Sequence, residues 1–123
     1  MARNKILFID DEKTCHVLAE IIINNFTPYK IMKAFSGTEA LDLLERFEDQ
    51  ICLVVSDIML PDISGFDIFK AIDGRLPFIF QSGLENQQAQ IKHQFKEDIP
   101  IIQKPYQQQQ LIDQINLHAL SIA

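Results

Sequence analysis

The chain has 123 residues, 47% hydrophobic and 23% charged, which is the size and composition of one ordinary globular domain with a real apolar core. A formal net charge of −6 speaks against a nucleic-acid surface, which needs clustered Lys and Arg to displace phosphate counterions. No apolar stretch is long enough to span a membrane and residues 1–5 lead into a strand-like run without a signal-peptide pattern, so a single cytoplasmic domain over 1–123 is expected.

The first apolar run, Ile6-Leu7-Phe8-Ile9, reads as a strand and stops at Asp10-Asp11-Glu12. Over 14–25 the spacing of Val17, Leu18, Ile21 and Ile22 predicts an amphipathic helix with these side chains on its apolar face, and Pro28 breaks the chain after it. A shorter strand over 30–35 precedes Ser36-Gly37-Thr38-Glu39, which turns into a second helix with Ala40, Leu43, Leu44 and Phe47 on one face. Residues 51–55 are apolar on both alternating faces, as a central parallel strand covered by helices requires, and they run into Ser56-Asp57.

A loop over 58–64 containing Pro61 leads to a short helix over 65–72, closed by Asp73-Gly74. The fourth strand starts at Pro77 and leads to Ser82-Gly83. A polar helix over 84–96 has Ile91 and Phe95 as its clearest apolar pair; a fifth strand over 99–103 leads to Lys104-Pro105. The final helix starts near Gln107 and carries Leu111, Ile112, Ile115, Ala119 and Leu120 on one stripe, with the glutamine run at 107–110 as its exposed first turn. Cys15 and Cys52 have no metal or redox spacing and read as incidental thiols, while His16, His93 and His118 read as solvated surface residues, as do Glu39, Asp42 and Glu45.

Strands alternating with helices through short connections define an α/β layer fold, a doubly wound parallel sheet with helices on both faces. Ligand sites in such sheets lie at the carboxyl ends of the strands, where Asp10, Asp11, Asp57, Ser82 and Lys104 fall. Clustered carboxylates repel one another unless a cation joins them, and magnesium suits one or two carboxylates, waters and a phosphate. With the cation present Asp57 is an ionised nucleophile able to form an aspartyl-phosphate. Phosphoryl transfer needs charge neutralised on three equatorial oxygens; magnesium, the Lys104 ammonium and the Ser82 hydroxyl with nearby amides supply three partners. Pro105, with its fixed φ and easier cis bond, suits a lysine that must point back into the site.

Four segments carry a resemblance that runs from end to end: residues 6–12, Asp57-Ile58-Met59-Leu60-Pro61-Asp62-Ile63-Ser64-Gly65-Phe66, Phe80-Gln81-Ser82-Gly83 and Gln103-Lys104-Pro105-Tyr106. The chain resembles the response-regulator receiver domains of two-component signalling, of the stand-alone chemotaxis-regulator type. The resemblance implies a flavodoxin-like five-stranded sheet of order 2-1-3-4-5. It implies Asp57 as phosphoacceptor, with Lys104 and Ser82 completing the catalytic set, and Asp11, Asp57 and the Met59 main-chain carbonyl as ligands of Mg2+ or Mn2+, with Asp10 acting through water. The implied phosphodonor is a phosphohistidine on a histidine kinase or histidine phosphotransfer protein, and the implied output to a downstream effector runs through the fourth helix, fifth strand and fifth helix. In family terms the domain catalyses only its own phosphorylation and dephosphorylation.

Ser82 and Ile101 occupy the switch positions, and Ile101 stands where many members have Tyr or Phe. The resemblance also implies that Met59 and Leu84, apolar and near the phosphate, hinder hydrolytic water and lengthen the phosphoryl lifetime. Three further functions compete. A constitutive interaction module on the same fold has Ile101 in its favour and the intact acidic pocket against it. A phosphatase of the haloacid-dehalogenase kind uses a strand-end Asp but needs a second Asp two residues on, where this chain has Met59. A nucleotide binder would want a phosphate loop after the first strand, where Asp10-Asp11 repels phosphate.

Overall fold

A computed structural model describes residues 3–83, 87–95 and 97–120. The elements alternate as β1 (Lys5–Ile9), α1 (Lys13–Phe26), β2 (Lys30–Ala34), α2 (Gly37–Phe47), β3 (Ile51–Asp57), α3 (Gly65–Ile72), β4 (Phe78–Ser82), α4 (Gln87–Phe95), β5 (Ile101–Gln103) and α5 (Gln108–His118), with one 3-10 turn at Glu48–Gln50. All strand pairings are parallel and the order is β2-β1-β3-β4-β5, the topology expected. Among the described residues no helix is long and apolar enough to cross a membrane.

The strand pleat sends alternate side chains into two separate cores. Leu7, Ile9, Val54, Phe78 and Phe80 pack with α2, α3 and α4, whereas Ile6, Phe8, Leu53, Val55 and Ile79 pack with α1 and α5. β3 is buried along its whole length, as its continuous apolar run predicts, because it is the middle strand with helices on both sides. β3 and β4 extend two residues further than their apolar runs, so Ser56, Asp57, Gln81 and Ser82 still lie within strands. β5 is shorter than expected; Pro100 lies outside it and still accepts from the Phe80 amide at 2.9 Å.

The burial of α1 differs from the sequence expectation. Its buried residues are His16, Ala19, Ile22 and Ile23, while Val17, Leu18 and Ile21 are 57%, 51% and 50% exposed. The face was misassigned because α1 carries more apolar residues than one stripe can hold; the small Ala19 lets the helix sit close to the sheet, and the buried row is one step round from the one that hydropathy favours. His16 is a correction of the same origin: it is buried, its ring edge-on to Phe8 at 5.1 Å and tilted over Phe35 at 4.1 Å. The side chain of His93 lies outside the described residues, and His118 is half-buried at the end of α5.

Local chemistry fixes the helix ends near the site. α2 starts at Ser36, whose hydroxyl accepts from the Glu39 amide, and the Glu39 carboxylate accepts from Phe35. α3 starts with a reciprocal capping box between Ser64 and Asp67, and ends as read, with Asp73 (φ 49°) and Gly74 (φ 78°) left-handed. The predicted exposed first turn of α5 is present, with Gln110 closing back on Gln107 at 2.6 Å.

Gly65 couples α3 to the end of β3. Its amide donates to Ile58 O at 2.7 Å, and a Cβ there would lie 2.3 Å from the Asp57 carbonyl oxygen and 3.1 Å from Ile58 Cα. The obstruction is main chain, which cannot rotate away. Gly65→Ala is therefore expected to destabilise the protein by about 2–3 kcal/mol, the upper part of the overpacking range, and to shift amide resonances at Asp57 and Ile58; an unchanged urea midpoint would refute the contact.

Candidate functional site

The ends of β1, β3 and β4 and the residue after β5 bring one set of polar groups together. Asp57 and Gln81 are register partners across β3 and β4, and Ile9 pairs with Ser56, which brings Asp10 level with Asp57. Paired positions in parallel strands share a side of the sheet, so Asp10, Asp57 and Gln81 all face α1 and α5. Lys104 follows β5, its amide donating to Ser82 O at 2.7 Å, and the Lys104–Pro105 bond is cis.

The Lys104 ammonium is the centre of the set. Nζ lies 2.7 Å from Asp10 Oδ2 and 3.1 Å from Asp57 Oδ2. Asp10 is 0% exposed and well supplied with donors: Oδ1 accepts from the Glu12 amide at 3.0 Å, and Oδ2 also accepts from Gln81 Nε2 at 3.1 Å. A buried carboxylate needs such partners. His16 Nε2 lies 2.7 Å from the Asp10 carbonyl oxygen, so a helix side chain also holds the main chain of this residue.

Burial pushes the Asp57 carboxyl up to about 6; Lys104 pulls it down, and Asp10 and Asp11 push it up again. Burial works against the Lys104 ammonium, but its bonds to Asp10 and Asp57 outweigh that and hold its pKa above the usual lysine range. Cys15 Sγ lies 3.9 Å from Lys104 Nζ, and burial with the nearby Asp10 raises the thiol to about 11, which leaves it protonated. Cys52 is buried in β3, its thiol 3.3 Å from Lys5 O. Cys52 is a buried strand thiol, whereas Cys15 lies at the site, with ligand atoms of Asp10, Glu12 and Cys15 within 4.8 Å of one another.

The donor set suits a hard divalent cation. Carboxylate oxygens of Asp10, Asp11 and Asp57 can all lie within 4.8 Å of one another, with Asp11 exposed and Asp57 at the pocket wall. Three carboxylates against one ammonium leave two negative charges unbalanced, the charge one divalent ion would cancel. Met59, whose carbonyl is the expected third ligand, lies in the β3–α3 loop with its side chain 68% exposed. Ser82 is buried at the end of β4, and Ile101, the register partner of Phe80, packs half-buried against the α2/α3/α4 core. Leu84, expected at the rim, lies outside the described residues.

Three contributors had no assigned role in the sequence reading. Asp62 ties the β3–α3 loop to the start of α2: its carboxylate accepts from the Gly37 and Thr38 amides at 2.9 and 2.8 Å and from the Thr38 hydroxyl, bonds that hold its pKa far below the usual carboxylate range. Gln81 bonds Asp10 from within β4, and Tyr106 donates its hydroxyl to Gln81 Oε1 at 3.2 Å. Burial holds the Tyr106 phenol above its usual range, so it stays a donor at neutral pH. Gln81 had a legible signal, an amide inside a buried apolar strand; Asp62 and Tyr106 had none, since their partners are distant in sequence.

With this geometry in place, comparison with known proteins is specific. A family model described as Response regulator receiver domain matches residues 6–116. The response regulator SaeR of Staphylococcus aureus is 27% identical over 114 residues, 90% of this chain and 48% of that protein; the two-component response regulator ARR2 of Arabidopsis thaliana is 27% identical over 93 residues, 74% of this chain and 14% of that protein. The chain thus spans less than half the length of either relative. Among solved structures, a response regulator receiver domain protein from Clostridium thermocellum is 28% identical with a TM-score of 0.79, covering 92% of this chain and 91% of that one. The receiver domain of the hybrid histidine kinase CckA is 26% identical with a TM-score of 0.75, covering 92% and 96%.

The raised pKa of Asp57 sets a stability test. Because the folded value lies above the ordinary 3.8, the stability that protonated Asp57 supplies is intact below about pH 4 and is lost as the pH rises through about 6. Metal-free Asp57→Asn is expected to be more stable than wild type at pH 7 by about 1–2 kcal/mol, after discounting for the open side of the pocket, with the gain shrinking toward pH 4. Thermal unfolding from pH 4 to 8 measures it; a variant less stable than wild type at pH 7 contradicts the assignment.

Proposed function

The chain belongs to the response regulator receiver domain family, and from that premise we propose that it is a phosphoacceptor switch in which Asp57 takes a phosphoryl group from a phosphohistidine on a histidine kinase or phosphotransfer protein. The observation that carries the reading is the sharing of one lysine ammonium between Asp10 and Asp57 beside an exposed Asp11. That arrangement supports the reading because the groups a phosphoacceptor site would need as nucleophile, cation and metal ligands lie close together.

Mg2+ or Mn2+ would be held by Asp11, Asp57 and the Met59 carbonyl, with Asp10 reaching it through water. When bound, the ion supplies charge neutralisation for a phosphoryl oxygen. The chain's own residues do the rest. Asp57 presents Oδ2 beside Lys104, whose ammonium is positioned to take a second phosphoryl oxygen, and Ser82 at the end of β4 is the hydroxyl partner for a third. The donor's leaving imidazole carries the bond electrons away, and Asp57 gains the P–O bond. Output through α4, β5 and α5 would follow as a population shift driven by this local charge event, with Ser82 and Ile101 at the switch positions. Cytoplasmic two-component signalling is the setting this reading implies.

The test is mass spectrometry after incubation with magnesium and acetyl phosphate. Wild type is expected to gain one phosphoryl group, Asp57→Asn none, and Lys104→Ala a gain slowed by tenfold or more, on the order of one lost charge-assisted contact. No Asp57-dependent gain sinks the proposal. The exposed, apolar Met59 side chain supports a slow hydrolysis step, so Met59→Asn is expected to shorten the phosphoryl half-life several-fold; an equal or longer half-life refutes that role.

A further inference from the structure

Receiver chemistry explains Asp10, Asp57 and Lys104, but it leaves unexplained why a fully buried strand position carries an amide. Gln81 is 0% exposed, with Ile79 and Phe80 before it, and a polar side chain costs stability there unless each of its groups is bonded. Both ends are bonded, each to a different partner. Nε2 donates to Asp10 Oδ2 at 3.1 Å and Oε1 accepts from the Tyr106 hydroxyl at 3.2 Å.

The chemistry of the partners fixes which way round the carboxamide sits. The ionised Asp10 carboxylate only accepts, so it must face the NH2 group; the carbonyl end is then left for a donor, and a phenol hydroxyl can be one. Flipping the amide would set its oxygen against the carboxylate. The Asp10 carboxylate therefore selects the orientation in which Gln81 offers it a hydrogen, and the bond from the Tyr106 hydroxyl to Oε1 adds a second restraint on the amide in that orientation. The three groups come from the residue after β1, from β4 and from the β5–α5 loop, and Tyr106 itself packs against the α1/α5 core, which limits its freedom.

We propose that Gln81 and Tyr106 are positioning residues for the metal site: Tyr106 pins the Gln81 amide, and Gln81 holds the Asp10 carboxylate at the height where it can serve the ion bound by Asp11 and Asp57. Asp10 has two strong claimants, the metal's water shell and the Lys104 ammonium. A second fixed donor on Oδ2 keeps the carboxylate from swinging toward Lys104 alone and leaves that lysine able to turn to Asp57 and its phosphoryl group. This rests on the phosphoacceptor reading and adds residues that the carboxylate–lysine constellation does not require.

The experiment is a double-mutant cycle in the full chain with Gln81→Leu and Tyr106→Phe, read by calorimetric titration with MgCl2 and by thermal unfolding in EDTA. Gln81→Leu is expected to weaken magnesium binding about tenfold, the low end for a partner outside the direct ligands. Tyr106→Phe should weaken it a few-fold when Gln81 is present and not at all in the Gln81→Leu background. Stability separates positioning from packing: Gln81→Leu strands the Tyr106 hydroxyl, so adding Tyr106→Phe should restore the melting temperature but not the magnesium affinity. If affinity recovers together with stability, or if the double variant binds magnesium within twofold of wild type, the proposal is overturned. Wild-type protein that binds no magnesium and takes no phosphoryl group brings down the phosphoacceptor reading and this proposal with it, whereas equal binding by wild type and variants brings down this proposal alone.

Discussion

One ammonium between two carboxylates organises the upper edge of this protein. Asp10 is a charge with no access to water, and such a group is tolerable only if its neighbours replace the lost hydration. Lys104 supplies the counter-charge, and the Glu12 amide and Gln81 supply further hydrogens. Because Lys104 is shared with Asp57, neither carboxylate is fully neutralised. The pocket is left with a negative charge that suits a divalent cation, held by Asp57 at the end of β3 and by Asp10, Asp11 and Lys104 directly after β1 and β5.

The sheet does this through register. Parallel pairing aligns the ends of β1, β3 and β4, and the two-residue pleat puts Asp10, Asp57 and Gln81 on the side facing α1 and α5. A slip of one residue would turn Asp57 toward the opposite core and lose the site altogether. The loop after β3 is restrained separately, by Asp62 at the start of α2 and by Gly65 against the Asp57 carbonyl. These restraints keep the Met59 backbone close to Asp57 without burying its side chain, so the loop is fixed in place while its outer surface stays open.

What the sequence reveals here follows from the range of the interaction concerned. Strand and helix identities come from local periodicity and are legible, as are Asp10, Asp57, Ser82 and Lys104, because an apolar strand that ends in a polar residue puts it at the edge. The resemblance to receiver domains adds the strand order, which periodicity alone leaves open. Contacts between segments far apart in the chain are not legible. The Asp62–Thr38 tie spans 24 residues and the Gln81–Tyr106 bond 25, and no local pattern marks either. α1 misleads for another reason: Val17, Leu18 and Ile21 satisfy the hydropathy rule better than the row the sheet accepts, and His16 is buried because its ring is flat enough to lie between Phe8 and Phe35 while Nε2 reaches a carbonyl.

The two sides of β4 consequently offer different routes away from the site. Phe80 faces the α3/α4 side, where Phe66, Phe69, Phe78 and Phe95 pack ring against ring, with neighbouring centroids 4.8–5.8 Å apart. Ile101 is the register partner of Phe80 and packs against this cluster as a branched aliphatic side chain with no polar group. Gln81 faces the other side and leads through hydrogen bonds to Tyr106. Hydrogen bonds depend on direction, whereas apolar contacts tolerate small displacements. The Asp10 carboxylate is therefore tied to Gln81 and Tyr106 by directed bonds, and Asp57 joins that line only through the shared Lys104 ammonium. Under the proposed phosphoacceptor reading, the hydrogen-bonded line from Asp10 through Gln81 to Tyr106 lies on the α1/α5 side of β4.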